Sequence, residues 1–468
     1  MRPAAPPESS FKRNRRGSIP VMTALLLVPM VLAAGGAVDL VVHERGRLAL
    51  QDALDRGTLA AASLTQTEDA ETVVRSFLKS VPNGDTATLT VTEEKTLTRR
   101  KVSASARINY PTTFLQLAQI DNLGIVGSST AEEARKNVEL SLVLDISGSM
   151  LDNGGMTQLR PAAKSFLDIV LKEDMAPTTS VSVIPFAGQV NLGEKVFTYL
   201  TSAEYNGRTA PYSRWATGNS YSWCLEMTTG DFASGKPSFY DRDQAPHFSY
   251  YNINASGKQP WWCPTVPTVT YMTNDLTTLK AKIDALAPYD GTGTAYGMKW
   301  AELLLNPSMR PALQTIRTRN LATIPSAFSA RPADFTDTDT LKFIVLMTDG
   351  QIGFQPRPTT ANTKPDSRYV VTTRNITGSY GTTTNNYAAG FNAFTDAQAK
   401  AFYKQVCAYT KAEGITIFTI AFKVSTAIAA DIAECASKPA YAYKVDGLDM
   451  TEAFQSIATS MQKIRITQ

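Results

Sequence analysis

Histidine is nearly missing from this sequence: His43 and His247 are the two copies in 468 residues. That scarcity argues against His-based zinc centres and His-driven acid–base catalysis. No CxxC pair occurs among Cys224, Cys263, Cys407 and Cys435, so neither a zinc ribbon nor a thioredoxin-like site is expected. An excess of one charge is also missing. Lys and Arg number 46 against 42 Asp and Glu, and no basic stripe interleaved with aromatics is present. A nucleic-acid partner is therefore not expected. His247 has no nucleophile elbow near it, which speaks against a Ser-His-Asp hydrolase. Gly230–Lys236 matches most of a phosphate-binding loop, but Pro237 stands where Ser or Thr would reach Mg²⁺, and no buried strand precedes it.

What is present fits a chain with a real core: 43% of residues are hydrophobic and 19% charged. The length exceeds one usual compact domain. Four cysteines in an exported chain fit two disulfides, with three connectivities open.

The amino-terminal 18 residues are basic and Pro-rich. Lys12, Arg13, Arg15 and Arg16 precede Ile19–Val38, which carries no charge. About 20 apolar residues suffice to cross a bilayer as a helix, and 19–42 is assigned as a single-pass span. The basic flank places the amino terminus in the cytoplasm and the rest beyond the inner membrane. A cleaved signal peptide is the rival, but its apolar core is usually only about 7–15 residues. From Leu40 to Leu64 an Ala- and Leu-rich stretch with interspersed charges continues the helix as a stalk. Residues 43–136 form this stalk and a small α+β linker, with a helix at Val73–Lys79 and strands at Thr86–Val91 and Val102–Ile108.

From 137 to 468 strand-like and helical runs alternate, as in a doubly wound, mostly parallel α/β sheet. Its strands are expected at Val138–Leu144, Ser180–Phe186, Leu341–Met347, Ile415–Phe422 and Ala440–Val445. Two insertions interrupt it, at about 191–273 and 351–394. The first is rich in Trp, and Trp215, Trp223, Trp261 and Trp262 have two readings, an exposed contact surface or a small core of the insertion, the latter favoured because large aromatics tend to be buried. The second, rich in Thr, Asn and Gly, is expected to be an exposed crown.

Three polar turns then fall on the carboxyl edge of the sheet, where such folds bind ligands. Asp145, Ser147 and Ser149 follow the first strand, Thr294 opens a helix after a Gly-rich turn, and Asp349 ends the strand at MTDG. Asp145 and the serines alone would serve equally as a helix cap, but capping needs neither Thr294 nor Asp349. Two carboxylates and three hydroxyls suit Mg²⁺ or Mn²⁺.

DISGSM, GTGTAYG and MTDG resemble the metal-ion-dependent adhesion site of von Willebrand factor type A domains. The resemblance implies a Rossmann-like fold over Val138 to about Ile464. It also implies that Asp145, Ser147, Ser149, Thr294 and Asp349 surround the metal, whose open position binds an acidic side chain of a protein partner. Thr294 is chosen over Thr292 because Gly297 follows it at the family's spacing. The amino-terminal half, RRGSIPVMTALLLVPMVLAAGGAVDL with the Ala-rich segment after it, is similar to TadG-like proteins of tight-adherence (Flp-type) pilus machinery. Gly17 has Met22 where prepilins carry an acidic residue, so the prepilin cleavage pattern is not met.

Two carboxyl-terminal cysteines of that family resemble Cys407 and Cys435, implying a disulfide between them. Topology agrees, since right-handed crossovers set successive helices side by side. Cys224–Cys263 would then staple the first insertion. Together these readings predict a membrane-anchored, non-enzymatic adhesion or pilus-assembly protein of the bacterial envelope, with its head periplasmic or at the cell surface. The rivals are a structural minor pilin-like component with a vestigial metal site and an enzyme-associated type A domain, the latter opposed by the apolar span.

Overall fold

One helix, Ser18–Ala61, carries the apolar stretch and the stalk without a break, although it contains Pro29. It is long and apolar enough to cross a membrane. The computed structural model describes residues 18–96, 98–152, 154–208, 221, 223–233, 235–250, 261–358, 369–370, 386–387, 390–446 and 450–467. Trp215 lies outside them, as do residues 1–17 and most of the second insertion.

The chain divides between Arg135 and Lys136. In the first unit the long helix and Ala70–Leu78 cover a three-stranded antiparallel sheet, Thr88–Lys95, Arg99–Pro111 and Asn122–Ala134. The sequence predicts only two strands here. The third, NLGIVGSSTAEEA, was illegible because small and polar residues fill most of it. Leu50, Leu54, Val74, Val102, Ala104 and Ile125 form the core of this unit. Asp69 caps the second helix by accepting the N–H groups of Glu71 and Thr72.

The second unit is built on a six-stranded sheet in the order Ala442–Val445, Thr416–Phe422, Thr340–Thr348, Asn137–Asp145, Thr179–Phe186, Thr270–Thr273. The first five strands are parallel, as expected, and the last is antiparallel. That edge strand comes from the end of the first insertion and was not anticipated. Alternation along Phe343–Met347 shows why helices are needed on both faces. Ile344 and Leu346 join one core with helices Thr294–Leu305 and Asp396–Ala412. Phe343, Val345 and Met347 join the other with Gly155–Val170, Leu276–Asp284 and Met450–Thr467. Thr395 and Gln398 form a reciprocal capping box that starts helix Asp396–Ala412.

Both disulfides, Cys224–Cys263 and Cys407–Cys435, pair as expected. The first insertion meets expectation only in part: Cys224, Ala245 and Cys263 form one small buried cluster and Phe248 with Trp262 another, while others of its rings join a larger core. Phe232 stacks on Phe402 and Phe239 on Trp300, so these rings complete one main core of the domain. Trp262 is buried, while Trp223 and Trp261 are only partly covered. The second insertion is not simply a crown either. Its two ends pair as antiparallel strands, Gln355–Pro358 with Gly390–Phe394, and Gln355 and Arg357 are buried. The Arg357 guanidinium forms an ion pair with Glu226 of the first insertion, and Trp262 Nε1 donates to Gln355 Oε1 at 3.1 Å. Polar side chains in the second insertion therefore meet partners contributed by the first, a pairing that composition does not reveal.

Candidate metal centre

Strand Asn137–Asp145 is buried along nearly all its length, so its last residue is carried into the domain interior. Asp145 is fully buried. Its Oδ1 accepts the N–H of Ser147 at 2.7 Å, which closes the turn onto the strand end. Its Oδ2 accepts the hydroxyl of Thr348 at 2.5 Å. The neighbouring strand Thr340–Thr348 runs parallel and in register, with Leu144 opposite Met347, and so delivers Thr348 and Asp349 beside the first turn.

The two serines face Asp349. Ser149 Oγ donates to Asp349 Oδ1 at 2.7 Å, and Ser147 Oγ lies 3.4 Å from the same oxygen and 2.9 Å from Ser149 Oγ. Burial pushes the Asp145 carboxyl up to about 7, and the nearby Asp349 charge adds to the shift against the opposing hydrogen bonds of Thr348 and Ser147. Two carboxylates held this close resist both being charged unless a cation joins them.

Thr294 comes from the third turn. Tyr289 N–H donates to Ile146 O at 2.7 Å and Gly293 N–H to Ala187 O at 2.6 Å, tying this turn to the ends of strands Asn137–Asp145 and Thr179–Phe186. The approach at Gly293 leaves no space for a side chain, since an added Cβ would stand 2.1 Å from the Gly188 oxygen. On its other side the turn meets Gly350, where a Cβ would stand 2.7 Å from Thr292 Cγ2. Thr294 then opens helix Thr294–Leu305 and is 1% exposed. Its Oγ1 is buried with no hydrogen-bond partner.

The structure thus brings Asp145, Ser147, Ser149 and Asp349 into one hydrogen-bonded cluster and packs the turn carrying Thr294 against it. Sequence reasoning missed Thr348, whose hydroxyl orients Asp145 and accepts the Gly350 N–H at 3.1 Å. Its position directly before Asp349 was the available signal. Among the described residues, no group of three or more His, Cys, Asp or Glu side chains is arranged to hold a metal. An ion here would therefore depend on the hydroxyls. The donor set has oxygen and no nitrogen or sulfur, and so fits a hard divalent cation. The unpartnered Thr294 Oγ1 is the kind of buried acceptor that such an ion would satisfy. His247, by contrast, stacks between Tyr221 and Trp261, with ring centroids 4.9 and 4.0 Å away.

Several solved structures are similar. The pilus adhesin SpaC of Lactobacillus rhamnosus GG, in its open conformation, matches at 14% identity over 81% of this chain and 34% of that chain, with a TM-score of 0.35. The vWF domain of the type V pili tip protein Mfa5 from Porphyromonas gingivalis matches at 13% identity over 71% of this chain and 97% of that chain, with a TM-score of 0.36. The pilus adhesin RrgA of Streptococcus pneumoniae matches at 10% identity over 81% and 49% of the two chains, with a TM-score of 0.32. The chain spans about a third of SpaC and about half of RrgA. No curated protein matches it. At the amino terminus, residues 17–64 match the family described as "Putative Flp pilus-assembly TadE/G-like".

Proposed function

We propose that this chain is a membrane-anchored pilus-assembly or adhesion protein of the bacterial envelope. Its head holds Mg²⁺ or Mn²⁺ among Asp145, Ser147, Ser149, Thr294 and Asp349, and binds an acidic side chain of a partner protein. Helix Ser18–Ala61 anchors it in the inner membrane with the amino terminus in the cytoplasm. The pilus-assembly match of residues 17–64 supports the setting. The buried, unpartnered Thr294 Oγ1, on a turn packed against the segment that carries Asp349, together with the cluster of two carboxylates and two serines, carries the metal assignment.

When bound, the ion supplies an electrophilic position for a foreign carboxylate. The chain's own residues do the rest. Thr348 and the Ser147 N–H orient the Asp145 carboxylate. Asp349 holds the two serine hydroxyls on one side of the turn. The role is binding, and no catalytic step is assigned.

Calorimetric titration of Mg²⁺ into the detergent-solubilised full chain tests the site. A saturable heat that vanishes in Asp145→Ala is expected. Equal heats for both proteins would overturn the metal site and leave the structural, pilin-like role in its place.

A further inference from the structure

The long helix has an unusual companion at its apolar end. The hairpin Arg99–Pro111 and Asn122–Ala134 runs along the helix toward its amino terminus, and successive contacts mark the descent. Thr58 Oγ1 meets Ser129 Oγ at 3.0 Å, Gln51 Nε2 donates to Ser128 O at 3.1 Å, and His43 Nε2 stands 3.3 Å from Gly124 O. The hairpin's end, residues 112–121, then arrives at Gly35–Asp39. There the Asp39 carboxylate accepts the N–H groups of Thr113, Phe114 and Leu115 at 3.0, 2.8 and 2.8 Å. Phe114 lies against Gly35 so closely that a Cβ there would stand 2.3 Å from the ring.

This level coincides with the far edge of the apolar stretch. A hydrocarbon core of about 30 Å takes about 20 helical residues at 1.5 Å each. A span that begins at Pro20 therefore ends near Leu40. The segment Ile108–Ile120 carries no charge. Leu117 is 68% exposed and Ile120 44%, beside a helix whose Val38, Leu40, Val41 and Val42 are all about half exposed. Irregular backbone tolerates low polarity only when its N–H groups are satisfied internally. Here Asp39 takes three of them, and the N–H groups of Leu117, Gln119 and Ile120 are taken by carbonyls of the same loop. The one charge within 19–42 thus has a structural reason to be there.

We infer that the loop Thr113–Ile120 is a second membrane contact: an interfacial foot that inserts Leu117 and Ile120 into the outer edge of the bilayer and sets the depth of the first unit. The occupant of this exposed apolar collar is lipid. The inference rests on the reading of Ser18–Ala61 as a span. It goes beyond that reading by giving the membrane a contact outside the helix.

The experiment uses the full chain reconstituted in phosphatidylcholine–phosphatidylglycerol vesicles. All four native cysteines are in disulfides, so single added thiols accept an environment-sensitive fluorophore. Leu117→Cys and Ile120→Cys report on the loop, Val28→Cys on the span and Glu94→Cys on the distant strand. Spin-labelled lipids serve as quenchers. Fluorescence at positions 117 and 120 should fall with spin labels near the headgroup, and at position 28 with labels near the acyl-chain end. Position 94 should keep its fluorescence. A quenched position 28 with unquenched 117 and 120 overturns the foot alone and leaves the collar to a protein partner. An unquenched position 28 overturns the span and the foot together.

Discussion

Ser149 Oγ donates to Asp349 Oδ1 at 2.7 Å across 200 residues of sequence. The bond exists because the strands preceding the two residues are parallel neighbours in register. Both leave the sheet at its carboxyl edge, where the backbone pairing stops and side chains take over.

Thr294→Val removes a buried hydroxyl that has no partner. An unsatisfied buried polar group costs roughly 1–3 kcal/mol. The metal-free variant is therefore expected to be at least as stable as the wild type, while the stabilisation by Mg²⁺ disappears. Urea unfolding with and without Mg²⁺ measures both. A variant that keeps the full Mg²⁺ increment would remove Thr294 from the ligand set.

The metal-free protein should lose stability as pH rises. Asp145 ionises near 7 when folded, above its ordinary 3.8. The native state therefore holds the extra proton between these values, and the associated stabilisation is full below about pH 4 and gone once pH passes about 7. Mg²⁺ competes with that proton, so its stabilising increment should grow over the same window. Melting curves at pH 5 and pH 8, with and without Mg²⁺, check the sign. An increment independent of pH would contradict it.

Glu139 and Lys342 form a buried ion pair at 2.5 Å at the opposite edge of the sheet. Glu139 Oε1 also accepts the Ala333 N–H at 2.8 Å. Glu139→Ala leaves the Lys342 charge buried without its carboxylate, with the Leu305 carbonyl still accepting from it at 2.9 Å, and is expected to cost about 3–5 kcal/mol. Glu139→Leu combined with Lys342→Met should recover much of that loss. The edge lies about 20 Å along the strand from Asp145 at ~3.3 Å per residue, so the Mg²⁺ heat of the double variant should match the wild type.

Cys407 and Cys435 tie helix Asp396–Ala412 to the end of helix Thr426–Ala433, with a sequence separation of 28. Opening a loop of that size by replacing both with Ser is expected to cost about 3–4 kcal/mol in the chain-entropy picture. Chemical denaturation of the double-Ser variant against the wild type gives the number. A loss below about 1 kcal/mol would mean that packing of Tyr403 and Ile432 already holds the helices together.

Much of the candidate site was legible because its parts are local. Asp145, Ser147 and Ser149 sit on one turn, Thr294 follows a Gly-rich turn, and Asp349 ends an apolar run. Each run has the length and composition of a buried strand or helix start, so each turn could be placed at the sheet edge. Thr348 was harder to see: a Thr at the end of a strand is ordinary until its hydroxyl is found on Asp145. The strand Asn122–Ala134 was invisible for a related reason. Its pairing along Arg99–Pro111 is made by backbone groups, and the residues Gly127, Ser128, Ser129 and Thr130 carry little pattern.

By itself the sequence determined the alternation of strands and helices, the apolar segment at the amino terminus and the identity of the five oxygen-bearing residues. Hydrophobic period and turn composition are local properties, and local physics suffices to read them. Only the tertiary structure decided that the last edge strand runs antiparallel, that some of the insertion's rings complete a main core, and that Arg357 meets Glu226. It also decided that Asp39 closes on the loop at Thr113–Leu115. Each of these depends on contacts between segments far apart in the chain. Their energy is realised only when the whole sheet, and the helix beside the hairpin, bring the partners together.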